Sequence, residues 1–121
     1  MKRDLDLVRK LLLTMETSPH GFINPNLVIE GYSSEQIGYH VHLMMQAGLV
    51  NGVDITSQNS QSPMAMPTAL TWHGHEFLDA CRNERVWNKA KERLKSIGGD
   101  VPLDIVNAVL IDIMRKQVLG V

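Results

Sequence analysis

GYSSEQIGYHVHLMMQAGLV, Gly31 to Val50, reads as one capped amphipathic helix that stops at a glycine and turns directly into a strand. Ser33 stands where an N-cap belongs, and Gln36 three residues on completes a Ser-x-x-Gln capping box. At helical spacing Ile37, Val41 and Met44 share a face, with His40 and Met45 at its margins. Gly48 supplies the left-handed conformation that ends the helix, and Leu49-Val50 opens the strand.

Working outward, Asp4 to about Thr17 reads as a first helix. Leu5, Val8, Leu12 and Met15 form its apolar stripe with Leu11 beside it, and Arg3, Asp6 and Lys10 lie on the wet side. Ser18-Pro19-His20-Gly21 stops it. Phe22 to Glu30 holds Pro25 between short branched runs, and is expected as loop with a short strand, Leu27–Glu30, on a sheet edge. There is no room for a full second helix. Leu49 to about Thr56 reads as a strand whose antiparallel return begins at Ala69–Thr71, with the polar run Ser57–Pro63 as hairpin tip. Pro63 and Pro67 suit an exposed edge. Thr71 caps the next helix, which places Trp72, Phe77, Leu78 and Cys81 in the core. Asn83 to Ile97 is a basic helix with Val86, Trp87, Ala90 and Leu94 on its inner face and Gly98-Gly99 as its stop. Asp100 or Val101 caps a last helix, Leu103 to Leu119, with Pro102 in its first turn. Ile105, Val106, Val109, Leu110, Ile113 and Met114 make that helix apolar around much of its circumference. It is therefore either sandwiched within one chain or used as a homodimer face centred on Ile105, Val109 and Ile113.

The 121 residues fit one domain, expected as a core over 1–71, a wing near 56–68 and C-terminal helices over 72–121. With 44% apolar and 21% charged residues the composition is that of a soluble globular chain. No apolar run approaches the roughly 20 residues of a membrane span. The start lacks a signal-peptide cleavage pattern. Cys81 is the only cysteine, so intrachain disulfides are excluded and a reducing cytoplasm is the expected setting. The net charge of −1 conceals a gap: between Leu11 and Cys81 there is no Lys or Arg, while Glu16, Glu30, Glu35, Asp54, Glu76 and Asp79 all fall there.

Taken together, Met1-Lys2-Arg3-Asp4-Leu5-Asp6-Leu7-Val8-Arg9-Lys10-Leu11-Leu12, Gly31-Tyr32-Ser33, Ile37-x-Tyr39-His40-x-x-Leu43, Ala47-Gly48-Leu49, Leu70-Thr71-Trp72-x-Gly74-His75-Glu76-Phe77-Leu78-Asp79 and Val86-Trp87 resemble a family of small bacterial, often phage- or prophage-borne proteins, domain of unknown function 2513. The resemblance covers nearly the whole chain. It implies a winged helix-turn-helix-like fold: α+β, mostly helical, with a two- to three-stranded antiparallel sheet and a helical C-terminal extension. The Ala-Gly-Leu-Val exit from the organising helix and the Leu-Thr-x-x-Gly exit from the wing are similar to those of winged helices. The resemblance carries no reaction, ligand or catalytic residue.

Duplex DNA is the reflex partner of that architecture, read by the helix over 33–47. Its outer face carries Glu35, Tyr39, His42, Leu43 and Gln46. Gln and His can read base edges. Affinity, however, comes largely from cations on phosphates, and this helix and wing supply none. Arg82, Arg85, Lys89, Arg93 and Lys95 on the helix over 83–97 offer a displaced mode, against the commoner reading of a solvated charged face. A protein partner fits the neutral-to-acidic contact face better. His40-x-His42 and His73-x-His75-Glu76 place histidines two apart, about 200° around a helix, so neither pair chelates as an i, i+4 pair does. Cys81 sits beside Phe77 and Leu78, a setting for an inert thiol. The expectation is a non-enzymatic interaction or regulatory module without metal or cofactor, off the membrane. A DNA-binding transcriptional regulator is the alternative.

Overall fold

A computed structural model describes residues 1–24, 26–97 and 101–120. The chain is α+β and mostly helical. In order it forms α1 (Leu5–Glu16), α2 (Ser34–Gln46), β1 (Val50–Asp54), β2 (Ala65–Leu70), α3 (Trp72–Cys81), α4 (Glu84–Lys95) and α5 (Leu103–Leu119). It divides into two compact units, Met1–His75 and Glu76–Val121.

In the first unit Asp4 is the N-cap of α1, its carboxylate accepting from Leu7 N–H at 3.1 Å. Leu7, Val8, Leu11, Leu12 and Met15 are buried. Leu5, expected in that stripe, is only half-buried, and Leu7 takes its place. Leu11 and Leu12 both belong to the core, which rotates the buried face toward Leu7. Helix α2 keeps its capping box: Gln36 N–H donates to Ser33 Oγ at 3.1 Å, and Ser33 N–H to Gln36 Oε1 at 2.8 Å. Gly48 ends the turn after α2 at φ +77°. Ile37, Val41 and Met44 face inward as expected, and α2 packs on α1, β1 and β2.

The sheet has two strands among the described residues, β1 antiparallel to β2. β2 begins at Ala65, four residues before the expected return at Ala69. Pro67 lies inside it and is buried, a correction to its expected place on an exposed edge. Pro67 is tolerated because its missing N–H would point away from β1: it faces Gly52 in a position where neither residue bonds across the pair. The register slips between Asn51 and Gly52, which leaves Thr68 as an extra residue on β2. Leu27–Glu30 forms no strand. The edge contact comes from Ile23, whose N–H donates to Thr68 O at 2.9 Å.

Thr71 caps α3, accepting from Gly74 N–H at 2.9 Å and donating its hydroxyl to Gly48 O. Trp72 is 80% exposed, contrary to its expected burial. At the first helical position its side chain leaves the turn before the core-facing stripe begins.

In the second unit Phe77, Leu78 and Cys81 are buried as expected. Asn83 caps α4, accepting from Val86 N–H at 3.1 Å, and Val86, Trp87 and Ala90 are buried while Leu94 is half-buried. The stop at Gly98-Gly99 and the cap at Asp100 lie outside the described residues. Pro102 occupies the cap position of α5, one residue before the expected first turn, and makes no side-chain cap bond. α4 and α5 pack together, clamped by Asp112, which takes Arg93 at 3.0 Å and Lys116 at 3.1 Å.

A candidate contact face on helix α2

The stripe of α2 opposite its buried side carries Glu35, Tyr39, His42, Leu43 and Gln46. Gln46 is exposed and the other four are half-buried. The Tyr39 and His42 rings stack at 6.4 Å with 24° between planes, while His40 meets Tyr39 edge-on at 5.9 Å. One helical turn therefore presents a preformed aromatic pair.

The hairpin borders this stripe and is tied to it. Ser62 Oγ donates to Glu35 Oε1 at 3.2 Å. Met64 lies against Gly38: a Cβ there would stand 2.7 Å from Met64 Cε and 3.3 Å from its Cβ and Cγ. On β1, the Asp54 carboxyl is held below its ordinary range, chiefly by hydrogen bonds from Thr56 and in smaller part by the charge of His42. Gly38 is thus a packing requirement of the hairpin.

The inner edge of α2 holds a polar cluster built on His40. His40 is buried, and both ring nitrogens bond to main chain: Nδ1 lies 2.7 Å from Gln36 O, and Nε2 2.8 Å from Asp4 N. Since Asp4 N–H can only donate, Nε2 is the acceptor and Nδ1 carries the proton. Asp4 Oδ2 accepts from Tyr32 Oη at 3.2 Å, and Lys10 Nζ stands 5.4 Å from the Tyr32 ring centre. Burial, then the Asp4 carboxylate, raises the Tyr32 phenol above its usual range. The partners of His40 lie 36 and 4 residues away, so only the local one could be anticipated.

His75 and His73 are exposed, apart from this cluster. Among the described residues no three His, Cys, Asp or Glu stand close enough to hold a metal ion. No helix there is long and apolar enough to cross a membrane.

The basic residues of the second unit are partly spoken for. Arg82 pairs with Asp79 at 2.9 Å, and Arg93 with Asp112. Arg85 and Lys89 share their exposed face with Glu84, Asn88 and Glu92, and Lys95 is exposed at the helix end. On α5 Ile113 is 6% exposed and belongs to the core, which removes one member of the expected dimer face. Val109 is half-buried and Ile105 is 44% exposed.

Fold and site define a mostly helical α+β protein whose outward helix stripe is flanked by a tethered hairpin. The chain belongs to the family described as "Hypothetical protein (DUF2513)", whose model matches residues 2–100. An uncharacterised protein of Haemophilus influenzae is 39% identical over 119 residues, covering 97% of this chain and 98% of that protein. No solved structure matches the chain.

Proposed function

We propose that this chain is a winged-helix module, non-enzymatic, that acts by contact with another protein through Glu35, Tyr39, His42, Leu43 and Gln46. The winged-helix reading is supported by the order α1, α2, hairpin, and by the bond from Ile23 to the far edge of β2. The second helix of a full helix-turn-helix is replaced by irregular chain between Gly21 and Ser33 in its described part.

One observation carries the choice of partner. The wing is folded onto the start of α2, with Ser62 on Glu35 and Met64 on Gly38, and neither element brings a cation. A helix that enters the major groove is normally flanked by Lys and Arg that neutralise phosphates, roughly six to ten of them in tight complexes. Here a carboxylate stands at that place. The stacked Tyr39–His42 pair and half-buried Leu43 instead have the aromatic and aliphatic composition of a protein contact.

The test sets two measurements side by side. Duplex of random sequence at low salt should be retained only weakly. Bait carrying Tyr39→Ala or Gln46→Glu, in nuclease-treated extract, should lose a protein that the unaltered chain retains. Tight duplex binding that falls steeply with salt, is lost on Gln46→Ala and survives Lys89→Ala, would establish the DNA reading instead.

A further inference from the structure

The hairpin treats its two edges differently. The outer side of β2 is blunted three ways: Pro67 has no N–H, Thr68 bulges out of register, and Ile23 N–H closes on Thr68 O. Such devices keep sheet edges from pairing with other chains. β1, Val50-Asn51-Gly52-Val53-Asp54, has none of them: no proline, no lysine, and the extra residue of the bulge lies on the other strand.

The direction of its main-chain groups follows from the bonds at its ends. Thr71 N–H donates to Leu49 O, and Ile55 N–H to Met64 O, so Leu49, Asn51, Val53 and Ile55 turn toward β2. Alternation leaves Gly52 and Asp54 turned outward, with N–H and C=O groups in the spacing of a ladder. Beside them Asn51 is exposed, Val53 is 51% exposed and Ile55 43%.

We propose that β1 is a pairing edge whose occupant is β1 of a second copy of this chain, antiparallel about Gly52. Only another extended backbone matches a row of alternating donors and acceptors. The strand is its own complement. A twofold axis at Gly52 sets glycine against glycine, neither adding a side chain of its own. It sets Asn51 against Val53 and Asp54 against Val50, so no like charges face each other. The interface is small, below the roughly 1,200 Å² of weak complexes, and the association is correspondingly weak and reversible. It uses a surface other than α5.

Sedimentation and light scattering of the full chain between about 10 µM and about 1 mM read the association directly. The apparent mass should rise from one chain toward two, and Val53→Lys should weaken this at least about tenfold. Asn51→Lys should do the same, which guards against a folding defect in the first variant; both sites are exposed, so thermal midpoints should stay close to that of the unaltered chain. Residue-resolved amide exchange adds a specific signature: Gly52 and Asp54 gain protection with concentration, whereas Asn51 and Val53, already bonded to β2, do not change. Ile105→Glu on α5 should leave association intact. The proposal falls if the chain stays single at 1 mM, if both lysine variants associate normally, if Gly52 and Asp54 gain no protection, or if Ile105→Glu abolishes the rise.

Discussion

Gly74→Ala sets helix propensity against packing, and the geometry says which wins. Gly74 is at the third position of α3, where alanine should be favoured over glycine by about 1 kcal/mol on propensity alone. A Cβ there, however, would stand 2.0 Å from Leu49 O and 3.0 Å from its carbonyl carbon. Carbon and carbonyl oxygen come no closer than about 3.3 Å, so α3 must retreat by more than an ångström. Leu49 O cannot yield freely, since it accepts from Thr71 N–H at 3.1 Å while Thr71 Oγ1 holds Gly48 O. Overpacking of this kind costs about 1–3 kcal/mol, and freeing a buried carbonyl costs about 1–3 kcal/mol more. Subtracting the propensity gain leaves a net loss of about 1–5 kcal/mol. A chain of this length is stable by about 6–18 kcal/mol, so the variant folds but melts about 3–25 °C lower. Thermal and urea unfolding followed by circular dichroism measure it. Gly48→Ala is the control: it is strained by its φ of +77° but meets nothing within 4 Å, and should cost about 1–2 kcal/mol. An unchanged or raised midpoint for Gly74→Ala would refute the close approach of α3 to Leu49.

His40→Ala should cost about 2–4 kcal/mol in urea unfolding, because it opens a cavity and leaves Asp4 N–H without its acceptor. An effect under about 0.5 kcal/mol would mean that the ring does not tie α1 to α2. Ultraviolet titration should show one of the two tyrosines, Tyr32, ionising above the usual value of about 10, and Asp4→Asn should bring it down. Its folded-state value is raised, so the stabilisation is present below about pH 10 and is lost as pH rises through the folded value. Asp112 is held below its ordinary value by Arg93 first and then Lys116, so its contribution is present above about pH 4 and disappears as pH falls through the lowered value. Asp112→Asn should therefore flatten the fall in urea midpoint between about pH 5 and pH 2; an unchanged slope would show that the clamp contributes nothing.

Local chemistry was legible and long-range pairing was not. Ser33 with Gln36, Thr71 before Gly74, and Asn83 before Val86 announce three helix starts because each cap closes within three residues. Gly48 is equally explicit about where α2 stops. The inner face of α1 was harder, since apolar residues at 5, 7, 8, 11, 12, 13 and 15 admit two overlapping stripes. Trp72 was misplaced because an aromatic is read as core by default, whereas its position at the mouth of a helix decides its direction. Pro67 hid the start of β2, because a proline marks a strand boundary unless its missing N–H faces outward, and that depends on register. For the contact face, the stripe itself follows from helical period. Its border does not: Ser62 reaches Glu35 across 27 positions, and Met64 meets Gly38 through a loop whose path composition cannot give.

The imidazole of His40 has a use beyond holding two elements together. With one nitrogen protonated toward Gln36 and the other accepting from Asp4, it sits in a single tautomer, and the two nitrogens of one tautomer resonate far apart. A single labelled histidine would thus report whether the first helix is seated: undocking frees the ring to average both forms, and the pair of signals converges. The chain carries its own gauge of that joint, legible without any added probe.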